Sequence, residues 1–110
     1  MARTDYVTIG NDELVWWKGA INEQSGNYLN SATVTASLYT SAGVLVPSSA
    51  VTLAYVAASN GNYNGILESA VTATLTDGAY YTWKADLVQG GIVGHREWDV
   101  MARYEGHREL

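Results

Sequence analysis

Apolar and polar residues alternate with period two over much of this chain, the pattern of half-buried strands whose successive side chains point to opposite faces. The alternation is cleanest at 80–87. There Tyr81, Trp83, Ala85 and Leu87 form an apolar face, and Tyr80, Thr82, Lys84 and Asp86 a wetter one. Just before it, Asp77-Gly78 is a turn, and Leu75, Gly78 and Tyr81 stand at a spacing of three. In β-sandwiches a tyrosine after such a turn buries its ring while its hydroxyl bonds backbone a few residues upstream, which fixes the corner between the sheets. We read Tyr81 as that corner tyrosine and Trp83 as a central core residue. Leu75, Gly78, Tyr81, Trp83 and Trp98 are then the positions that define the fold.

The remaining elements follow in chain order. A short strand is expected over 6–9, closed by Gly10-Asn11-Asp12. A second covers 13–21, where Leu14 and Trp16 compete with Val15, Trp17 and Ile21 for the inner face. We favour Val15, Trp17 and Ile21 inward, with Gly19 leaving room for a large neighbour. Both faces of this strand carry a tryptophan, so one indole is left for solvent or a partner. Residues 22–31 read as a polar loop. Residues 32–40 alternate, with Ala32, Val34, Ala36 and Leu38 inward. Ser41-Ala42-Gly43 turns into Val44-Leu45-Val46, which Pro47 ends because proline cannot donate to a ladder. Residues 51–57 place Val51, Leu53 and Tyr55 on one face. Asn60-Gly61 is the strongest hairpin signal, since this pair readily takes the positive φ of a primed turn. Residues 63–68 pair back across it, and 70–76 hold a single helical turn. Gln89-Gly90-Gly91 leads into a long last strand, 92–104, bulged near Gly94. Trp98, Val100, Ala102 and Tyr104 line one of its faces, and His95, Glu97, Asp99 and Arg103 the other. About seven or eight strands at this spacing imply an all-β antiparallel sandwich with Greek-key connections. It forms one domain over 1–110, with an N-terminal arm at 1–5 and a C-terminal tail at 105–110.

Composition narrows the function. Charged residues make up only 15% of the chain, so strands, tight turns and polar uncharged surface dominate. With no cysteine, neither disulfides nor a zinc–thiolate site can form. A net charge of −5 and the lack of any basic run argue against a nucleic-acid partner. No apolar run approaches the roughly 20 residues that span a bilayer, so no membrane partner is expected.

The densest ionisable group is His95, Arg96, Glu97, Asp99 and Arg103. His95, Glu97 and Asp99 share one strand face and would suit a metal site or an acid/base pair. The same pattern arises from a solvated face with cross-strand ion pairs, and that reading is preferred, because catalysis also needs a pocket and supporting groups. We expect no enzyme activity and no cofactor or metal. The aromatics Trp16, Tyr28, Tyr39 and Tyr80 are candidate contact residues, because tyrosine and tryptophan are enriched at interfaces. Outward aromatics on adjacent strands would favour an interface. Arg3 in the arm and Arg108 in the tail join them as candidate interface residues.

The stretches NYLNSATVTASLYTSAGVLV (27–46), VTLAYVAASNGNYNGIL (51–67) and LTDGAYYTWKADL (75–87) together resemble small phage and prophage virion proteins. Those proteins have an immunoglobulin-like, fibronectin-III-like β-sandwich. The matching stretches lie within 27–87, more than half of the chain, and the resemblance excludes Trp16-Trp17 and the tail after Tyr104. It implies an immunoglobulin-like sandwich and a non-enzymatic place in a virion, assembled in the host cytoplasm. The leading expectation is a capsid decoration or cement protein that bridges capsid subunits in many symmetric copies, with a homo-oligomer as an open possibility. Two alternatives stand beside it: a head–tail or baseplate adaptor, and a carbohydrate-binding adhesion module of the same fold. Sugar binding needs aromatics gathered on one concave face, whereas assembly needs them spread along edges and termini.

Overall fold

The alternating stretches become strands of a single mixed sheet. A computed structural model describes residues 5–104 of the chain. In order these form β1 (Asp5–Thr8), β2 (Glu13–Trp17), β3 (Thr33–Thr40), β4 (Val51–Tyr55), β5 (Tyr63–Leu67), the one-turn helix α1 (Ser69–Thr72), β6 (Tyr80–Gln89) and β7 (Ile92–Arg103). The seven strands are ordered β1-β7-β6-β3-β4-β5-β2. The sheet curls until it is nearly a barrel. Its two end strands approach one another, with the Thr8 N–H donating to Glu13 Oε1 at 3.5 Å.

The wholly antiparallel arrangement expected from the sequence does not hold. β1 lies parallel to β7, from Asp5↔Val100 to Thr8↔Arg103. Asp5 therefore belongs to a strand and not to an arm. Residues 1–4 and 105–110, including Arg3, Arg108 and the C-terminal tail, lie outside the described residues.

The core is built from the inward parities of β3, β4, β6 and β7. Val34, Ala36, Leu38, Leu53, Trp83, Ala85, Leu87, Val100 and Ala102 are all buried. Trp98 is half-buried and stacks on Trp83 at 6.2 Å between centroids, at 26°. Leu75 and Tyr81 are buried, and the Tyr81 hydroxyl accepts the Thr76 N–H at 2.9 Å, five residues upstream. Gly78 was expected among these positions, yet it is exposed. Its place is conformational: φ is +83°, and its N–H donates to Ala102 O at 2.7 Å, tying the turn to β7.

Four local expectations are corrected. Val15 and Trp17 point inward, but Ile21 is 40% exposed and pairs only by an isolated bridge to Tyr28. β2 stops at Trp17, and the positive φ of Gly19 turns the chain, so its parity is not carried on to Ile21. Room for Trp17 comes from Gly94 and not from Gly19. A Cβ at Gly94 would lie 3.3 Å from the Trp17 ring, whereas one at Gly19 would meet nothing within 4 Å. No bulge interrupts β7, because its pairing with β6 runs in step from Tyr80↔Met101 to Gln89↔Ile92. The β4–β5 connection is a longer loop, with positive φ at Ala58 and Gly61 and not at Asn60. The helical turn near 70–76 forms at Ser69–Thr72. There the buried Thr72 hydroxyl takes the Gly10 N–H at 3.0 Å and donates to Asn11 O at 2.8 Å.

Candidate functional site

Two surfaces stand out: the outer face of β1-β7-β6-β3, and the seam where the ends of the sheet meet. On the outer face, register sets Tyr6 opposite Met101 and Met101 opposite Tyr80. Tyr6 is 42% exposed and Tyr80 52% exposed, so an apolar row crosses three adjacent strands. Tyr39 lies one row further on, opposite Thr82 and diagonal to Tyr80, within reach for aromatic side chains. Cations cap this patch. The Arg103 guanidinium sits 3.5 Å over the Tyr6 ring, and Lys84 Nζ sits 4.7 Å over the Tyr39 ring. Such exposed contacts contribute about 0.5–1 kcal/mol each.

Next along this face, His95 is clasped between two carboxylates. Its Nδ1 lies 2.7 Å from Asp86 Oδ1 on β6, and its Nε2 lies 2.7 Å from Glu97 Oε2 on β7. Asp99 is engaged elsewhere, accepting the Thr82 hydroxyl at 2.9 Å. Among the described residues, no group of three His, Cys, Asp or Glu side chains is placed to hold a metal ion. The His95 pKa is raised from its ordinary 6.5, first by the hydrogen bond to Asp86 and then by that to Glu97. Folding therefore favours the imidazolium. The contribution of the clasp to stability is complete below the unfolded-state value near 6.5 and drains away as pH rises through the higher folded value. NMR titration of the His95 ring should give a midpoint above 6.5, and His95→Gln should remove this part of the pH dependence. A midpoint at or below 6.5 would show that the clasp is not formed in solution.

The seam lies between β2 and the outer edge of β7. Its larger cleft, of about 740 Å³, is lined by Trp16, Trp83 and Trp98 with Asp5, Glu13 and Lys18. Burial pushes the Glu13 carboxyl above the ordinary range, opposed by the Thr8 N–H. A smaller cleft, of about 340 Å³, is lined by Trp17, Leu29, Ile92 and Val93 among others. Arg96 borders both. Its guanidinium lies 4.3 Å over the Trp17 ring and donates to Lys18 O at 3.1 Å, so it is a strut across the seam. The Trp17 indole N–H is buried with no acceptor among the described residues.

The structure thus scatters the aromatics singled out in the sequence. Trp16 lies half-buried in the seam, with Lys18 Nζ 5.1 Å over its ring. Tyr28 is exposed in the loop after β2. Only Tyr39 and Tyr80 are brought together. Sequence reasoning missed Tyr6, Met101 and Arg103 as their neighbours. Met101 and Arg103 fall on the outward parity of the last strand, but no parity was assigned to Tyr6, and nothing local set the three side by side. No family model, curated protein or solved structure matches this chain.

Proposed function

We propose that this chain is a non-enzymatic structural protein of a bacteriophage virion, a capsid decoration protein built on an immunoglobulin-like sandwich. The sandwich reading is supported by the strand order. β1-β7-β6-β3 forms one wall, β5-β2 forms the other, and β4 pairs with both. The two walls meet through side chains, as where Trp17 of β2 packs on Gly94 of β7. The function rests on the resemblance of 27–46, 51–67 and 75–87 to virion proteins. The observation that carries it is the Tyr6–Met101–Tyr80 row on three adjacent strands, with Trp16 and Tyr28 dispersed elsewhere. Outward aromatics on adjacent strands suit a protein interface. Interfaces of standard size, repeated over a shell, would brace neighbouring capsid subunits.

The test is co-sedimentation with shells assembled from the major capsid protein of the same genome, preceded by light scattering of the protein alone. Saturable binding at a stoichiometry matching a capsid symmetry is expected. Tyr80→Ala with Tyr6→Ala should weaken it by about tenfold or more, as for anchor residues of an interface. A discrete oligomer that ignores shells would move the protein to the head–tail junction or baseplate. A monomer that ignores shells would overturn the virion reading.

A further inference from the structure

The chain holds two Asn-Gly pairs, Asn60-Gly61 and Asn64-Gly65. Such pairs are chemically reactive. With no side chain on the following residue, its amide nitrogen can swing onto the asparagine Cγ and close a succinimide ring. The fold treats the two pairs differently. Asn64 and Gly65 lie in β5, where Asn64 is paired with Ala54 of β4 on one side and Trp16 of β2 on the other. A Cβ on Gly65 would stand 2.7 Å from Thr52 O, so backbone crowds this pair. Asn60 is instead an exposed residue of the β4–β5 loop.

The nitrogen that would attack Asn60 is held. The Gly61 N–H donates to Asn30 Oδ1 at 2.8 Å, and the Gly61 C=O accepts the Ala20 N–H at 2.8 Å. Attack needs that nitrogen deprotonated and turned onto Asn60 Cγ. An acceptor oxygen at hydrogen-bond distance favours the protonated amide over its anion. Turning the Asn60–Gly61 peptide also breaks the bond to Asn30. The rest of the loop is closed in the same way. The Val56 N–H donates to Asn62 O at 2.9 Å, the Ser59 hydroxyl donates to Val56 O at 2.6 Å, and Asn62 Oδ1 accepts the Gly19 N–H at 2.9 Å. Local opening of a loop costs less than unfolding the strands it joins.

We propose that Asn60 is a deamidation site that Asn30 keeps closed, so that it records each opening of this loop. When the loop opens, solvent base takes the Gly61 amide proton, and the nitrogen attacks Asn60 Cγ. The new N–C bond replaces the bond to the side-chain nitrogen, which leaves as ammonia with a proton from water. Water then opens the succinimide at either carbonyl, giving aspartate or isoaspartate. The isoaspartyl product adds a methylene to the main chain beside Gly61. That glycine has no space to give, since a Cβ on it would already stand 2.4 Å from Ala20 O. The modified loop does not rebuild its bonds to Ala20 and Asn30, and the opening becomes permanent. The inference stands apart from the virion reading.

The full chain is incubated at mildly alkaline pH, and peptide mass mapping follows Asn60 and Asn64 separately. A synthetic peptide of residues 56–66 is the unfolded reference. Asn60 in the chain should convert at least about tenfold more slowly than in the peptide, because reaction follows the population of the open form. Asn30→Ala removes the acceptor and should speed Asn60 about tenfold, with Asn64 still at the parent rate. Asn30→Asp keeps an acceptor oxygen and should stay slow. In the isolated isoaspartyl chain, the amides of Ala20 and Gly61 should exchange freely. The proposal is overturned if Asn60 in the parent reacts as fast as in the peptide, or if Asn30→Ala leaves it slow. It is also overturned if Asn30→Ala speeds both asparagines alike, since global unfolding would then govern the site. Protection of the Ala20 amide in the isoaspartyl chain would overturn the permanent opening.

Discussion

Gly61→Ala is expected to destabilise the protein by about 4 kcal/mol, the sum of about 1–3 for backbone strain and about 1–3 for overpacking. Gly61 is buried at φ +72°, where a side chain is strained whatever the space. A Cβ there would stand 2.4 Å from Ala20 O and 2.6 Å from Ala20 N, and both are backbone atoms that cannot swing away. The same glycine knots three segments. Its C=O accepts the Ala20 N–H at 2.8 Å, its N–H donates to Asn30 Oδ1 at 2.8 Å, and Leu29 N–H closes the circuit on Ala20 O at 2.9 Å. Gly43→Ala is the control. Its φ is +85° but nothing lies within 4 Å, so only the strain of about 1 kcal/mol should remain. Urea unfolding of both variants gives the comparison. Equal losses would mean that the contact with Ala20 does not govern this loop.

Tyr63 joins the same end of the molecule from the inside. Its ring is fully buried and stands 5.7 Å from that of Tyr55. Its hydroxyl donates to Leu29 O at 2.5 Å and accepts the Ala32 N–H at 3.0 Å, across more than thirty residues of chain. Tyr63→Phe leaves a buried carbonyl and an amide without a partner, so a loss of about 1–3 kcal/mol is expected. Tyr63→Ala adds the cavity of the ring, for about 3–5 kcal/mol in total. Thermal unfolding, with amide exchange at Ala32, separates the two terms: the phenylalanine variant should already free that amide. If Ala32 stays protected in Tyr63→Phe, the hydroxyl is not what holds the loop to β5.

The functional surfaces were legible unevenly. Tyr39 and Tyr80 were recognisable as outward residues because alternation within a strand is a local property. Their grouping with Tyr6 and Met101 was not, because it depends on the register between β1, β7 and β6, whose ends lie far apart in sequence. The ionisable set on β7 was seen as one face. What could not be read was Asp86, which reaches His95 from the neighbouring strand and leaves Asp99 to Thr82. The seam was not foreseen at all. It arises from curvature of the whole sheet, which sets β2 across from β7.

By itself, the sequence determined the strands and their faces wherever alternation and turn chemistry agree: β3 and β6, the Asp77-Gly78 turn, and the hydroxyl of Tyr81 reaching back to Thr76. Those features depend on residues within a few positions of one another, where backbone sterics and burial of one face act directly. Only the tertiary structure decided that β1 runs parallel to β7, that Gly94 makes the space for Trp17, and that β2 ends before Ile21. In each case the deciding contact comes from a distant strand, and the alternation of a single segment carries no information about which neighbour will lie beside it.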